Sequence, residues 1–402
     1  MHYLIGSIGL ASFLFLAWLP SSDRRAAGGR LGRVGVLLLV QFGLALLLLK
    51  SSVGDTVIHA VSSSFDHLIT YAGTGTAFVF GDLPRVGTQP AIFFSVLMPI
   101  VLVSALIGIL QHIRLLPLII RAVGQVVSWV SGFGRLESFN AVAAMLLGQS
   151  EVFISLRDIL GRIPERRMLT LATSAMSTVS AAILGVYMQL VEPRYVIAAI
   201  TLNLFGAFAV SALINPYRTT TREDDALLHV EDAESRDKPS FFEMLADYIL
   251  LGFRIAITVA AMLLGFTALL ALINGIFAAV FHGTTFQDVM GHAFAPLAWL
   301  TGISWDETRS AGTFMGTKLV SNEVVAMQQL HSRQTPLSSH TMAILSTYLV
   351  SFANLTTIAI VTGAVRIIDA AQGALVARKG LRLIYSATLV SLISATVVGL
   401  VQ

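Results

Sequence analysis

Apolar runs long enough to cross a bilayer, about 20 residues at 1.5 Å per residue, recur along this chain, and arginines gather in the short segments between them. Residues 3–20, 34–49, 91–110, 168–190, 195–214, 241–279, 340–365 and 383–401 read as spans. None shows the alternation of a membrane strand, and backbone polar groups in hydrocarbon must be satisfied internally, so these runs predict helices. The expected class is an all-α polytopic membrane protein with about eight transmembrane helices.

Two segments break the pattern. Residues 137–160 and 305–330 hold apolar pieces too short to span separately, interrupted by Gly148-Gln149-Ser150-Glu151 in the first and Ser321-Asn322-Glu323 in the second. Non-helical backbone at membrane depth is tolerated only where protein or a water-filled cavity surrounds it, so each segment predicts a re-entrant helical hairpin. The loop carrying Arg24, Arg25, Arg30 and Arg33 is cytoplasmic by the positive-inside rule, which places both termini outside and inserts the hairpins from opposite faces. The first run is followed by Asp23-Arg24-Arg25 and has no basic leader, so it is expected to be retained as a span. Each half then holds a hairpin and two spans in opposite orientation, the inverted-repeat plan of secondary transporters.

The remaining segments are polar. Residues 51–90 set Asp55, His59, Asp66 and His67 among apolar positions at helical spacing, predicting an interfacial helix that ends in a Gly-rich turn around Gly73 and Gly75. Residues 216–239 read as a cytoplasmic linker between the halves, and residues 282–300 as an outer-surface element. Composition agrees with a lipid-embedded chain: of 402 residues, 55% are hydrophobic and 12% charged, where soluble domains carry about 25% charge. With no cysteine, disulfides and thiolate metal sites are excluded. The net charge of +3 sits beside the spans, which fits membrane orientation rather than nucleic-acid binding.

The candidate chemistry lies in the interruptions. An unpaired carboxylate at the bilayer centre costs roughly 2.5–3.5 kcal/mol on insertion scales, so Glu151 and Glu323 point to function. Gln149, Ser150 and Glu151 combine an amide, a hydroxyl and a carboxylate; an amide pairs donor and acceptor in one plane, which suits the edge of a planar heterocycle. The alternative is a polar network joining the hairpin arms. Glu323 with Asn322 suits a sugar, because a carboxylate accepts strong bonds from two hydroxyls. Lys318, five residues earlier, offers an internal ion pair instead. In residues 351–357, Asn354 and Thr357 are three apart on an expected helix face, with Phe352 placed to stack on or gate a ligand. Residues 173–180, rich in serine and threonine, read as close helix packing.

Three motifs in order, Glu137-Ser138-Phe139-Asn140-Ala141-Val142 running into Gly148-Gln149-Ser150-Glu151, Gly316-Thr317-Lys318-Leu319-Val320-Ser321-Asn322-Glu323-Val324-Val325-Ala326, and Ser351-Phe352-Ala353-Asn354, resemble the signature set of the concentrative nucleoside transporters, and most closely the bacterial nucleoside permeases. The resemblance spans nearly the whole chain. It implies a homotrimer in a bacterial inner membrane, with a scaffold over residues 1–130 and 240–302 and an elevator-like transport part over 131–215 and 303–402. It places Gln149, Ser150 and Glu151 at the nucleobase with Ile183 near it, Glu323, Asn354 and Thr357 at the ribose, and Phe352 beside the site. Sodium-coupled members similar to this chain carry an asparagine where Ala144 stands here, as part of a cation site with a hydroxyl at the position of Thr178. Alanine supplies no oxygen, so the resemblance favours H+ coupling through Glu151 or Glu323 and leaves Leu147, Thr178 and Val179 as weak Na+ candidates.

The expected function is therefore proton-coupled import of nucleosides, with sodium symport as the alternative coupling and a nucleoside-permeable channel or receptor as the alternative class. No nucleotide-binding loop or zincin motif occurs, which argues against ATP-driven transport by this chain. Two glutamates alone, without a nucleophile and base or a metal arrangement, do not make an enzyme. No cofactor is expected.

Overall fold

The computed structural model describes residues 2–81, 92–157, 159–219 and 240–402. No strand occurs among the described residues. In the first half the helices are α1 (His2–Trp18), α2 (Arg24–Gly28), α3 (Leu31–Lys50), α4 (Ser52–Phe80), α5 (Pro99–His112), α6 (Leu115–Ser131), α7 (Arg135–Leu146), α8 (Glu151–Ser155), α9 (Glu165–Ser177), α10 (Leu184–Leu190) and α11 (Pro193–Ile214). In the second they are α12 (Phe241–Val280), α13 (Phe286–Leu300), α14 (Trp305–Val320), α15 (Glu323–His331), α16 (Ser339–Leu349), α17 (Leu355–Ile368), α18 (Ala370–Arg378) and α19 (Gly380–Val401). The end of the expected interfacial segment and most of the expected linker, 82–91 and 220–239, lie outside the described residues.

Among the described residues six helical segments are long and apolar enough to cross a membrane: Leu31–Lys50, Phe93–His112, Glu165–Leu190, Pro193–Ile214, Phe241–Val280 and Gly380–Val401. Helices α11 and α19 form the centre, buried along most of their length, with α1, α3, α9 and α16 packed around them. The 40-residue α12 is the opposite case. At 1.5 Å per residue it is about 60 Å long, and it leans on α5, where Gly252 meets Val101 and Ser104 without an intervening side chain.

Two expectations fail. The Gly-rich turn is absent, because α4 continues through Gly73 and Gly75 to Phe80. Each glycine costs roughly 1 kcal/mol against alanine in a helix, less than the loss of backbone hydrogen bonds in apolar surroundings. Residues 168–190 and 340–365 are not continuous helices either. α9 stops at Ser177, Thr178 and Ser180 are extended, and a 3₁₀ turn at Ala181–Ile183 leads into α10. α16 stops at Leu349, and α17 starts only at Leu355.

Distant side chains hold these breaks open. The Phe352 amide donates to the Thr178 carbonyl at 3.1 Å, joining one break to the other. Asn203 Nδ2 donates to the Val350 carbonyl at 2.8 Å, and Lys318 Nζ donates to that of Tyr348. Unwound backbone is stable in an apolar interior only with such partners.

Candidate functional site

The four breaks, two in each half, surround one cavity of ≈ 310 Å³, at the small end of the ~300–1,000 Å³ range of ligand pockets. Gln149, Ser150, Glu151, Ile183, Glu323, Phe352, Asn354 and Thr357 all line it, as does Leu147. Thr178 and Val179 are buried in the α9–α10 break. Gln149 Oε1 is buried and accepts no hydrogen bond, and Thr178 Oγ1 is likewise buried without a partner. Buried acceptors left open in this way carry a desolvation cost of about 1–3 kcal/mol that a ligand or ion can relieve.

Glu323 is the first residue of α15 and is 4% exposed. Its Oε1 accepts from the Tyr187 hydroxyl at 2.8 Å and its Oε2 from Asn354 Nδ2 at 2.8 Å. A carboxylate has roughly four acceptor sites, so capacity for further hydroxyls remains. Asn354 is fixed in turn: its Oδ1 accepts from the Thr357 amide at 2.9 Å and the Thr357 hydroxyl at 3.1 Å, capping α17. This corrects the expected helix face, because Asn354 precedes the helix in extended conformation and Thr357 sits in its first turn. Asn322 caps α15 in the same manner, accepting from the Val325 amide at 2.9 Å. The N-terminal ends of α15 and α17 therefore meet at one carboxylate, where their partial positive charge favours an anion.

In the first half, Glu151 is the first residue of α8, and its carboxylate folds back over Gly148. Gly148 has φ +124, and a Cβ there would lie 2.6 Å from Glu151 Oε2. The backbone conformation requires glycine, and an added methyl would displace the Glu151 carboxylate. Gly148→Ala is expected to lower uptake roughly tenfold or more, since strain of this kind costs about 1–3 kcal/mol. Initial-rate uptake at matched membrane expression checks this.

The ion pair that spacing offered to Lys318 and Glu323 is not formed. Lys318 is buried and spends its donors on the Tyr348 carbonyl, Ser351 Oγ at 2.7 Å and Ser391 Oγ at 3.3 Å, with its ammonium 4.3 Å from the centre of the Tyr348 ring. The Ser321 break separates it from Glu323, and three oxygens plus an aromatic face replace the carboxylate. The remaining wall was not anticipated from sequence. Leu251, Arg254, Ile255, Thr258, Val259 and Met262, a single face of α12, close the cavity opposite the breaks. Arg254, the one charged residue within 248–280, was the signal available for it.

Known proteins resemble this chain along its length. Residues 195–399 match the sequence model for the Na+ dependent nucleoside transporter C-terminus, residues 8–83 that for the corresponding N-terminus, and residues 93–194 a nucleoside recognition gate. The purine nucleoside transport protein NupG of Bacillus subtilis is 32% identical over 100% of this chain and 99% of its own length. The nucleoside permease NupC of Helicobacter pylori is 28% identical, covering 99% and 97%. CNTnw in an inward-facing substrate-bound state has a TM-score of 0.92 at 32% identity, covering 100% of this chain and 98% of that one. Matched along its full length by sequence and by fold, the chain belongs to the concentrative nucleoside transporter family.

Proposed function

We propose that this transporter imports nucleosides across a bacterial inner membrane by proton symport, as a homotrimer whose two hairpin-bearing parts, 131–215 and 303–402, move against a scaffold of 1–130 and 240–302. The observation that carries the reading is the meeting of Gln149-Ser150-Glu151 and Glu323-Asn354-Thr357, from opposite halves of the chain, on one cavity. Gln149, with its open Oε1, and Ser150 take the edge of the base, and Ile183 packs on it. Glu323 and Thr357 bind the ribose hydroxyls, Asn354 holds Glu323 in place, and Phe352 stacks beside the ligand. The unbroken face of α12 is the fixed wall past which the site moves.

Glu151 is the proposed proton carrier. Glu323 already receives two side-chain donors and is assigned to the ribose, and Ala144 is buried with no oxygen to offer a cation. An imposed inward proton gradient is expected to accumulate labelled uridine or inosine in sodium-free proteoliposomes. Glu151→Gln is expected to retain exchange of nucleoside for nucleoside while losing accumulation. Accumulation that requires sodium and ignores the pH gradient would overturn proton coupling, and mere equilibration by the wild type would point to a channel.

One observation favours the sodium reading: the buried Thr178 hydroxyl has no partner. With the carbonyls of Leu147 and Val179 it would supply oxygens to a hard cation. Thr178→Val distinguishes the two, lowering the apparent sodium affinity under that reading and leaving proton-driven uptake unchanged under the other.

A further inference from the structure

A second cavity, of ≈ 400 Å³, shares no residue with the substrate cavity and lies where the α1–α3 segment meets the exit of α11. Its wall holds Arg25, Arg30, Arg33 and Arg218, with Gly132 and Tyr217, and no carboxylate among the described residues. The positive-inside rule accounts for arginines in such a loop but not for their convergence on one hollow.

Several contacts build this site. Arg30 donates to the Tyr217 carbonyl and lies 5.5 Å from the centre of the Phe133 ring. Arg33 is seated on Gly132, where a Cβ would come within 2.5 Å of its Cζ. Burial holds Arg30 below the usual guanidinium range, and the charges of Arg218 and Arg33 press it further down, so the cations act on one another. Acidic groups close by in the chain or the fold are spent elsewhere. Asp23 caps α2, Glu137 is paired with Arg167, and Glu165 is 3.1 Å from Lys379.

We propose that this cavity binds a phosphate-bearing anion on the cytoplasmic side. Guanidinium groups match phosphate oxygens in planar, two-point geometry, and basic hollows between helices at this membrane face take phosphate headgroups. An anionic lipid headgroup and a soluble phosphate share this chemistry. The site is separate from nucleoside recognition and stands whether or not the proton-coupling reading holds.

The test uses the purified full-length chain in neutral detergent, with melting temperature followed against phosphatidylglycerol, phosphatidylcholine, inorganic phosphate and chloride at constant ionic strength. Stabilisation by phosphatidylglycerol alone identifies a lipid site, and stabilisation by phosphate as well identifies a site open to soluble anions. In Arg25→Gln/Arg33→Gln/Arg218→Gln the same response is expected to need roughly tenfold more ligand, with nucleoside affinity unchanged. Arg30 is kept because it holds Tyr217. The single Arg33→Gln, expected to weaken the response in the same direction, serves if the triple variant does not fold. An undiminished response in the variants, or an equal response to chloride, overturns the proposal. So does a response that emerges only in Glu223→Gln/Asp224→Asn/Asp225→Asn, since the chain's own acids would then be the occupant.

Discussion

Glu323→Gln is expected to abolish measurable nucleoside uptake while leaving the protein folded. The substitution keeps shape and removes charge. Asn354 cannot turn its amide to suit the new side chain, because its Oδ1 is committed to the Thr357 amide and hydroxyl at the start of α17. The new carboxamide must therefore offer its oxygen to Asn354 Nδ2 and its NH₂ to the Tyr187 hydroxyl. That arrangement keeps both partners in contact but turns the buried Tyr187 O–H away from its acceptor, a cost of about 1–3 kcal/mol that the fold survives. What disappears is the anionic acceptor proposed for the ribose. Hydrogen bonds to charged groups are worth about 1.5–3 kcal/mol each, and two such bonds give a loss of kcat/KM of roughly a hundredfold or more.

A control separates binding from structure. If Glu323 accepts the ribose hydroxyls, a 2′,3′-dideoxynucleoside already lacks the interaction, and the substitution should scarcely reduce its transport further. Equal losses for both substrates would make Glu323 a structural residue. Wild-type uptake of the natural nucleoside in Glu323→Gln would remove it from the site altogether.

The parts of the molecule legible in the sequence are those whose physics is local. The apolar runs gave the helices, and the two carboxylates that interrupt them marked the cavity they both line, since the cost of a charge in an apolar run is read residue by residue. The breaks at Thr178 and Val350 were invisible because both lie in apolar or hydroxyl-rich runs that a helix tolerates. They are held by Asn203, Lys318 and each other across large chain separations. Asn354 three residues before Thr357 had the spacing of a helix cap as well as that of a helix face, and only the tertiary fold decides between them. Tyr187 reached Glu323 for a similar reason: a tyrosine in an apolar span gives no sign of a partner 136 residues away. The face of α12 was hidden because an apolar stripe against a cavity looks like one against lipid.

Glu137 shows the same limit with a large energy attached. Fully buried in the first turn of α7, it receives Arg167 from α9 at 2.6 and 2.8 Å and the Tyr217 hydroxyl at 2.9 Å. This pair ties the helix leading to Gln149 and Glu151 against α9 and the exit of α11. Removing one member of such a pair leaves a buried charge without its counter-ion, at a cost of about 3–5 kcal/mol, whereas replacing both by apolar groups of similar volume is often nearly neutral. Glu137→Leu and Arg167→Leu are therefore each expected to lower the melting temperature by roughly 5 °C or more, and the double variant to recover most of that loss. If the double variant is as unstable as either single, the pair is not the source of the stability. If it is stable yet transports poorly, the pair serves to position the arm: the Glu151 cluster would be misplaced in a folded protein, with KM raised and the number of assembled transporters unchanged.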